Sequence, residues 1–459
     1  LQNNDPSNAI RQRLNIRVTH SFRDRLLNKL YSAAKSAAMK NRSFPRGLDF
    51  WRVAVPVALL AASAGLAQSR YTLTDLGTLG GSDAHPYGIN NRGQVIGNAN
   101  TTNDAAAHAF LHTPGAPMLD LGTLGGNNSY AYGVNTNGQV VGSSDLTTND
   151  SSQGAFLYGG GLLSNLSHLG GTNVYAYAIN DRGQIAGSVF APGANALHAY
   201  IYGGTLTNIT GLPNDRTSEA YGINNRAEVV GYFYINNTTY HGFLYSSNQL
   251  HELQPFSAGN SEAVAINDAG QVVGDAYNAS GQDLAFLYSG GSNGTTTNLG
   301  TLGGGFSQAL GINNRGQVVG LAEVSQTGPI HAFLYSGGLM YDLNNLVTNA
   351  PGWTLTSAQA INDLGQIVGA ATDPFSNVRA FLLTPLTNRP TLHNTFSNGV
   401  STLNVQAQAG LTYFIEATSD LVSWHVVSTN VAQPDGSIAF TETNAPSLKG
   451  RFYRVQWVP

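Results

Sequence analysis

The sequence has no cysteine among its 459 residues, and only 10% of its residues are charged. The missing thiols exclude a disulfide framework, a thiolate metal site, a cysteine nucleophile and a lipid-anchored N-terminal cysteine. Basic charge is scarce where it would matter for polyanions. From Gln68 onward there are 11 basic against 23 acidic residues, a net of −12. A body this acidic lacks the electrostatic footprint of a nucleic-acid binder and is repelled by anionic lipid. The H-E-x-x-H zinc motif and the Walker-type phosphate loop are absent as well. What is abundant is glycine, 54 residues, which together with the low charge fits turn-rich, all-β structure.

The N-terminal part differs from the rest. Eleven of the 22 Lys and Arg precede Val53, against three acids. Residues 1–38 are basic, with Phe22, Leu26 and Leu30 at helical spacing, and are read as upstream sequence outside the real protein; a surface-binding basic helix is the alternative. Residues 39–67 read as a secretory signal peptide. Lys40, Arg42, Arg46 and Arg52 form its positive region, Val53 to Ala67 its apolar region, and Gly65-Leu66-Ala67 a small-residue cleavage site. The apolar run is short for a membrane span and contains Pro56, and no second run follows. The expectation is export, with no membrane insertion after cleavage and a secreted or cell-surface location.

From Tyr71 to about Pro385 one pattern recurs seven times. Its first anchor is an aliphatic residue followed by Asn: Asn90, Asn135, Asn180, Asn224, Asn267, Asn313 and Asn362, spaced 43 to 49 residues apart. Its second anchor is a short apolar run ending in an aromatic residue: Phe110, Phe156, Tyr200, Phe243, Phe286, Phe333 and Phe381. A period of about 40–45 residues is that of a four-stranded propeller blade. Within each copy, N-x-x-G (Asn135 to Gly138) marks a tight hairpin between a first and a second strand. The region opens with a fourth-type strand, Tyr71 to Leu76, and ends after a third-type one, Ala380 to Leu383. The expectation over residues 68–385 is therefore a seven-bladed β-propeller closed by its N-terminal strand, with Leu73, Leu76 and Leu79 buried. Before each anchor Asn, small residues at −2 and −4 alternate with larger ones at −1 and −3, which predicts a small face and a large face on an innermost strand. Each anchor Asn is expected to bond its local backbone as a turn residue. A linker at 386–395 and a small β-sandwich at 396–459 complete the chain.

Gly-Ile-Asn-x-x-Gly-Gln-Val-Val-Gly followed by His-Ala-Phe-Leu-Tyr resembles the HAF-repeat family of bacterial extracellular proteins. That resemblance implies an extracellular repeat protein and carries over no catalytic residue. The tail, Tyr413 to Trp424 with Arg451 to Arg454, is similar to the fibronectin type III-like modules that end many exported bacterial proteins, and implies an accessory or adhesion module.

No cofactor, metal site or catalytic residue is indicated. The His residues of the third strand (His108, His198, His241, His331) come from separate copies and read as structural. Binding is expected at one rim, where the loops vary most and the −5 positions stand at the channel mouth: His85, Tyr130, Tyr175, Glu219, Glu262, Gln308 and Ser357. Tyrosines and acids around a mouth suit a polysaccharide or protein ligand. The leading expectation is a non-enzymatic binding or surface-interaction protein. The alternatives are an extracellular polysaccharide hydrolase or lyase with Glu219 and Glu262 as its acid pair, and a structural cell-envelope component.

Overall fold

The computed structural model describes residues 71–457 apart from 149–151, 167–172, 191–192, 194, 210, 214–215, 257–258, 292–293, 348, 387–390, 398–399, 408–411, 420–422, 434–436 and 443–451. The expected basic segment and signal peptide lie outside the described residues. The described chain is all-β and propeller-like. Seven four-stranded antiparallel sheets are followed by two three-stranded ones. In six of the seven, the four strands are consecutive in sequence. The remaining one joins Thr354–Ile361, Ile367–Thr372 and Val378–Pro385 to Tyr71–Asp75, from the other end of the region, in the register Tyr71↔Pro385 to Asp75↔Phe381. Tyr71 and Leu76 are buried there, whereas Leu73 and Leu79, expected in the core, are only partly so.

The hairpin between first and second strands explains the Asn-x-x-Gly motif. Asn135 Oδ1 accepts from the backbone N–H of Asn137 and Gln139 at 3.1 and 3.0 Å, and Gly138 takes φ +79°. That is the expected turn role, but only half of what the residue does. The amide nitrogen of each anchor Asn donates to the carbonyl oxygen of the anchor Asn in the next sheet. The series runs Asn90 to Asn135, Asn180, Asn224, Asn267, Asn313 and Asn362, then from Asn362 back to Asn90, at 2.8 to 3.1 Å. The following residues form a second series, in which Asn225 and Asn314 alternate with Asp181, Asp268 and Asp363, while Asn91 bonds Asp363 and Thr136 donates its backbone N–H to Asp181.

The first strands (Gly80–Ile89, Ser129–Val134, Val174–Ile179, Ser218–Ile223, Ser261–Ile266, Ser307–Ile312, Thr354–Ile361) touch one another in series, the last touching the first. Each carries a β-bulge at the −3 position. The bulge corrects the expected two-faced pattern, because an extra residue shifts the alternation by one. Ala176 and Ile179, at −4 and −1, pack in the same core cluster, and Ala178 at −2 faces the next sheet. At −2 the backbones of adjacent sheets nearly meet: a Cβ on Gly133 would lie 2.9 Å from the Ala178 Cα.

The bulge also accounts for two other motif residues. It pushes the −5 carbonyl against the glycine that follows Gln-Val-Val. A Cβ on Gly142 would stand 1.9 Å from the Tyr130 oxygen and 2.7 Å from the Phe156 ring. The third-strand aromatic fills the space above that glycine, and all seven of these rings are fully buried. Between sheets, Ser129, Ser218, Ser261 and Ser307 each accept the backbone N–H of the middle residue of the preceding sheet's third-strand motif. The core is distributed over the sheet-to-sheet interfaces, including one in which Leu76 and Val368 meet Ala84 and Phe110.

The C-terminal part pairs Thr391–Ser397, Val400–Gln406 and Ser437–Glu442 in one sheet and His425–Val431, Thr412–Thr418 and Phe452–Trp457 in another. Its core holds Leu403, Val405, Tyr413, Ile415, Ala432 and Ile438. The strand Thr391–Ser397 occupies the second half of the segment expected to be a linker, because Leu392 pairs with Val405 and packs on this core. Arg454 joins the two motifs of the tail, its guanidinium 4.4 Å from the Trp424 ring centre and its Nε 2.6 Å from Glu416.

Two substitutions test this account of the repeat. Gly142→Ala is expected to destabilise by about 3 kcal/mol, since neither the Tyr130 carbonyl nor the Phe156 ring has room to withdraw. In the fourth copy Ala227 occupies the turn position at φ +61°, so Ala227→Gly is expected to stabilise by about 1 kcal/mol. Thermal melts of both variants give the answer; two shifts of the same sign would contradict the assignment.

Candidate functional site

The end of the first strands opposite the anchor Asn gathers the chemically distinctive residues. The −3 side chains of the first four sheets are tyrosines that touch in series: Tyr87 to Tyr132 at 5.7 Å, Tyr132 to Tyr177 at 5.6 Å and Tyr177 to Tyr221 at 5.3 Å between ring centres. The −5 tyrosines lie parallel on them, Tyr130 on Tyr132 at 6.4 Å and Tyr175 on Tyr177 at 6.0 Å. In the fifth to seventh sheets the −3 position holds Val264, Leu310 and Gln359, so the aromatic series covers one side only.

Each −5 residue stands opposite the residue that follows the second-strand glycine: His85 with Asn98, Tyr130 with Ser143, Tyr175 with Ser188, Glu219 with Tyr232, Glu262 with Asp275, Gln308 with Leu321 and Ser357 with Ala370. The second member of each pair escaped the sequence reading. The signal was available as the residue immediately after each Gly of the repeat, which carries a polar group in the first five copies (Asn98, Ser143, Ser188, Tyr232 and Asp275).

None of the seven −5 residues is fully exposed, and Ser357 is buried. Glu219, Glu262 and Gln308 are buried, and His85, Tyr130 and Tyr175 are half-buried. Glu219 accepts hydrogen bonds from the Tyr177 and Tyr232 hydroxyls at 2.8 and 2.7 Å, one on each oxygen. Burial first, and then the Glu219 charge, hold both phenols well above their usual range. Glu262 is set against Asp275 across the strand pair. Asp283 completes that cluster, its Oδ2 accepting from Gln308 Nε2 at 3.4 Å. Burial, followed by the charges of Asp283 and Glu262, raises Asp275 far above the ordinary carboxylate range. It therefore keeps its proton where a free aspartate has lost it.

The opposite side of this level is neutral and polar. His85 Nδ1, Asn98 Oδ1 and Ser143 Oγ are shielded from solvent without a hydrogen-bond partner among the described residues. Burial also lowers the His85 pKa. Unmet buried polar atoms cost about 1–3 kcal/mol each, and their grouping at one level marks a place where ligand or water oxygen and nitrogen would be bound.

Other candidates resolve into structure. Among the third-strand histidines, His108 and His331 bond Asp120 and Asp342 of the fourth strand at 2.8 and 2.7 Å, and His241 bonds Glu252. Asp75, Asp120 and Asn298 cap the turns after their strands. At the anchor end, a depression of about 240 Å³ is lined by the anchor Asn residues and their successors. The hydrogen bonds of that lining are largely used between sheets. Among the described residues no group of three or more His, Asp or Glu side chains is arranged to hold a metal ion.

No protein-family model matches the sequence, and no curated protein matches it. Among solved structures the chain is similar to a puromycin hydrolase (TM-score 0.45, 10% identity, 74% of this chain and 62% of that one). It is similar to the dipeptidyl peptidase 4 of Porphyromonas gingivalis (TM-score 0.40, 12% identity, 78% and 59%) and to TolB from Acinetobacter baumannii (TM-score 0.37, 8% identity, 63% and 63%). The chain thus spans about three-fifths of the length of these structures. Likenesses at this level assign it neither an activity nor a ligand.

The Asp275 proton gives a pH prediction. The folded state holds a proton that the unfolded chain has released, so stability falls as pH rises from the ordinary aspartate range toward the raised folded value. Asp275→Asn removes the ionisation. Its melting temperature is expected to exceed that of the parent at pH 8 and to converge with it near pH 4. Parallel pH profiles for the two proteins would contradict the shared-proton cluster.

Proposed function

We propose that this is an exported, non-enzymatic binding protein built on a closed seven-bladed β-propeller of HAF-type repeats, with its ligand site at the −5 level. The closed ring is supported by the pairing of Tyr71–Asp75 with Val378–Pro385 and by the amide bond from Asn362 back to Asn90. The signal-peptide pattern supports export. The observation that carries the binding role is the coincidence, at one level, of stacked tyrosine pairs with the unpartnered atoms of His85, Asn98 and Ser143. Flat aromatic faces beside polar groups are what a sugar ring requires, since it presents C–H patches on its faces and hydroxyls at its edge. A polysaccharide chain is therefore the favoured ligand, and a protein the other partner.

A second reading has one specific observation behind it. Asp275, with its raised pKa, lies beside Asp283 and Glu262, and carboxyls of unequal pKa are the equipment of a glycoside hydrolase. Glu262, one of the two acids singled out in the sequence, belongs to this cluster.

Glycan-array screening and calorimetry with the full chain separate the readings. Tyr130→Ala is expected to weaken glycan binding roughly tenfold, about 1.4 kcal/mol, with no oligosaccharide released by either protein. Unchanged affinity in Tyr130→Ala would contradict the site, and product release abolished by Asp275→Asn would establish the hydrolase instead. For the ring itself, removing residues 68–79 is expected to cost about 5 kcal/mol or more, from lost burial of Tyr71 and Leu76 and partial burial of Leu73 and Leu79. A melting temperature equal to that of the intact chain would contradict closure.

A further inference from the structure

The acidic side of the same level has a chemistry that a neutral sugar does not use. Glu219, Glu262, Asp275 and Asp283 come from the fourth and fifth sheets, all of them buried, and the charged groups that act on Asp275 are themselves carboxyls, Asp283 and Glu262. Gln308 belongs to the sixth sheet and is 5% exposed. It turns its amide toward this cluster, with Nε2 on Asp283 and Oε1 unpartnered. Around the cluster stand Tyr221, Tyr232, Tyr240 and Tyr277, in range of the carboxyl charges; Tyr221 and Tyr232 lie 5.6 Å apart, and Tyr232 and Tyr240 5.4 Å, between ring centres. The carboxyl oxygens and the unmet amide oxygen of this half attract positive charge.

We infer that this half of the site takes the protonated primary amine of an amino sugar, so that the favoured polysaccharide is one carrying free ammonium groups. The inference rests on the glycan-binding reading. An ammonium group offers three N–H donors and needs acceptors that surround it without converging on a single short-range point. A divalent metal, by contrast, needs several oxygens at about 2.0–2.6 Å from one position. Among the described residues no group of three or more His, Asp or Glu side chains is arranged in that way. Gln308 Oε1 and the carboxyl oxygens supply the acceptors. Charge balance adds a signature. The cluster is neutralised in part by a shared proton, so an entering ammonium takes over that role and the proton leaves to solvent. Binding therefore releases protons, with no covalent step.

The test is titration calorimetry on the full chain at about pH 5, where the glucosamine amines are already fully protonated and Asp275 still holds its proton, in two buffers of different ionisation enthalpy. The probes are a β-1,4-linked glucosamine tetramer and its fully N-acetylated counterpart. The glucosamine tetramer is expected to bind roughly tenfold or more tightly than the acetylated one, with proton release visible as a buffer-dependent heat. In Asp275→Asn that buffer dependence should vanish. In Gln308→Leu the preference for the free amine should shrink. Equal or tighter binding of the acetylated tetramer, or buffer-dependent heat that survives in Asp275→Asn, would overturn the inference alone. If neither tetramer nor any other glycan bound, the glycan-binding reading would fall together with it.

Discussion

The side-chain amide of the anchor asparagine is the interaction on which the described fold depends most. Each amide has two N–H donors and two acceptor positions, and here all four are used. The oxygen takes two backbone N–H groups of its own turn, as in Asn180 with Arg182 and Gln184. The nitrogen gives one hydrogen to the side chain four residues on and the other to the next sheet, as Asn180 does with Gln184 and Asn224. A single residue thus fixes a hairpin and sets the position of its neighbour. Aspartate at this position would lose both donors and bring a buried charge, and serine would not span the gap. The repeat interval, the Asn-x-x-Gly turn and the proposed ring all follow from this one side chain.

At the other end of the same strands the constraint is relaxed and the chemistry accumulates. The bulge at −3 brings the −5 carbonyl onto a glycine and sends the −3 and −5 side chains into one shared level. There the residues are no longer repeated: tyrosines fill it on one side, carboxyls and glutamine on the other. Several polar atoms at this level remain unpartnered or keep protons that free acids would lose. Such groups cost stability, which a rigid repeat framework supplies elsewhere through its buried interfaces. Stability resides at the repetitive end and the proposed specificity at the variable one.

Much of the architecture could be read from the sequence because it is written seven times. The four-stranded unit, the turn glycine and the outlying strand Tyr71–Asp75 were all legible from spacing. The bulge was not, because it changes backbone pairing without a distinctive residue, and it moved Ile179 to the face shared with Ala176. The reach of the anchor Asn to the next sheet was hidden for a related reason: spacing within one copy says nothing about contacts between copies. Of the site, the −5 positions were legible as a column, but their burial and their partners Asn98, Ser143 and Asp275 were not. A column of unlike residues has no period, and only cross-strand register shows which of them meet. The strand Thr391–Ser397 was missed because a proline and polar residues stand just before it and mask a short alternating run.

The central claim is that the two ends of residues 71–385 meet in a single closed ring. The chain contains no cysteine, so one engineered pair reports on this without interference. Thr72 and Thr384 are register partners across the seam, at a spacing that a disulfide spans. The double variant Thr72→Cys with Thr384→Cys, oxidised in dilute solution, should form an intramolecular disulfide in the monomer, seen by mass spectrometry as a cross-linked peptide pair. Free thiols after oxidation, or disulfides found only between molecules, would contradict the ring.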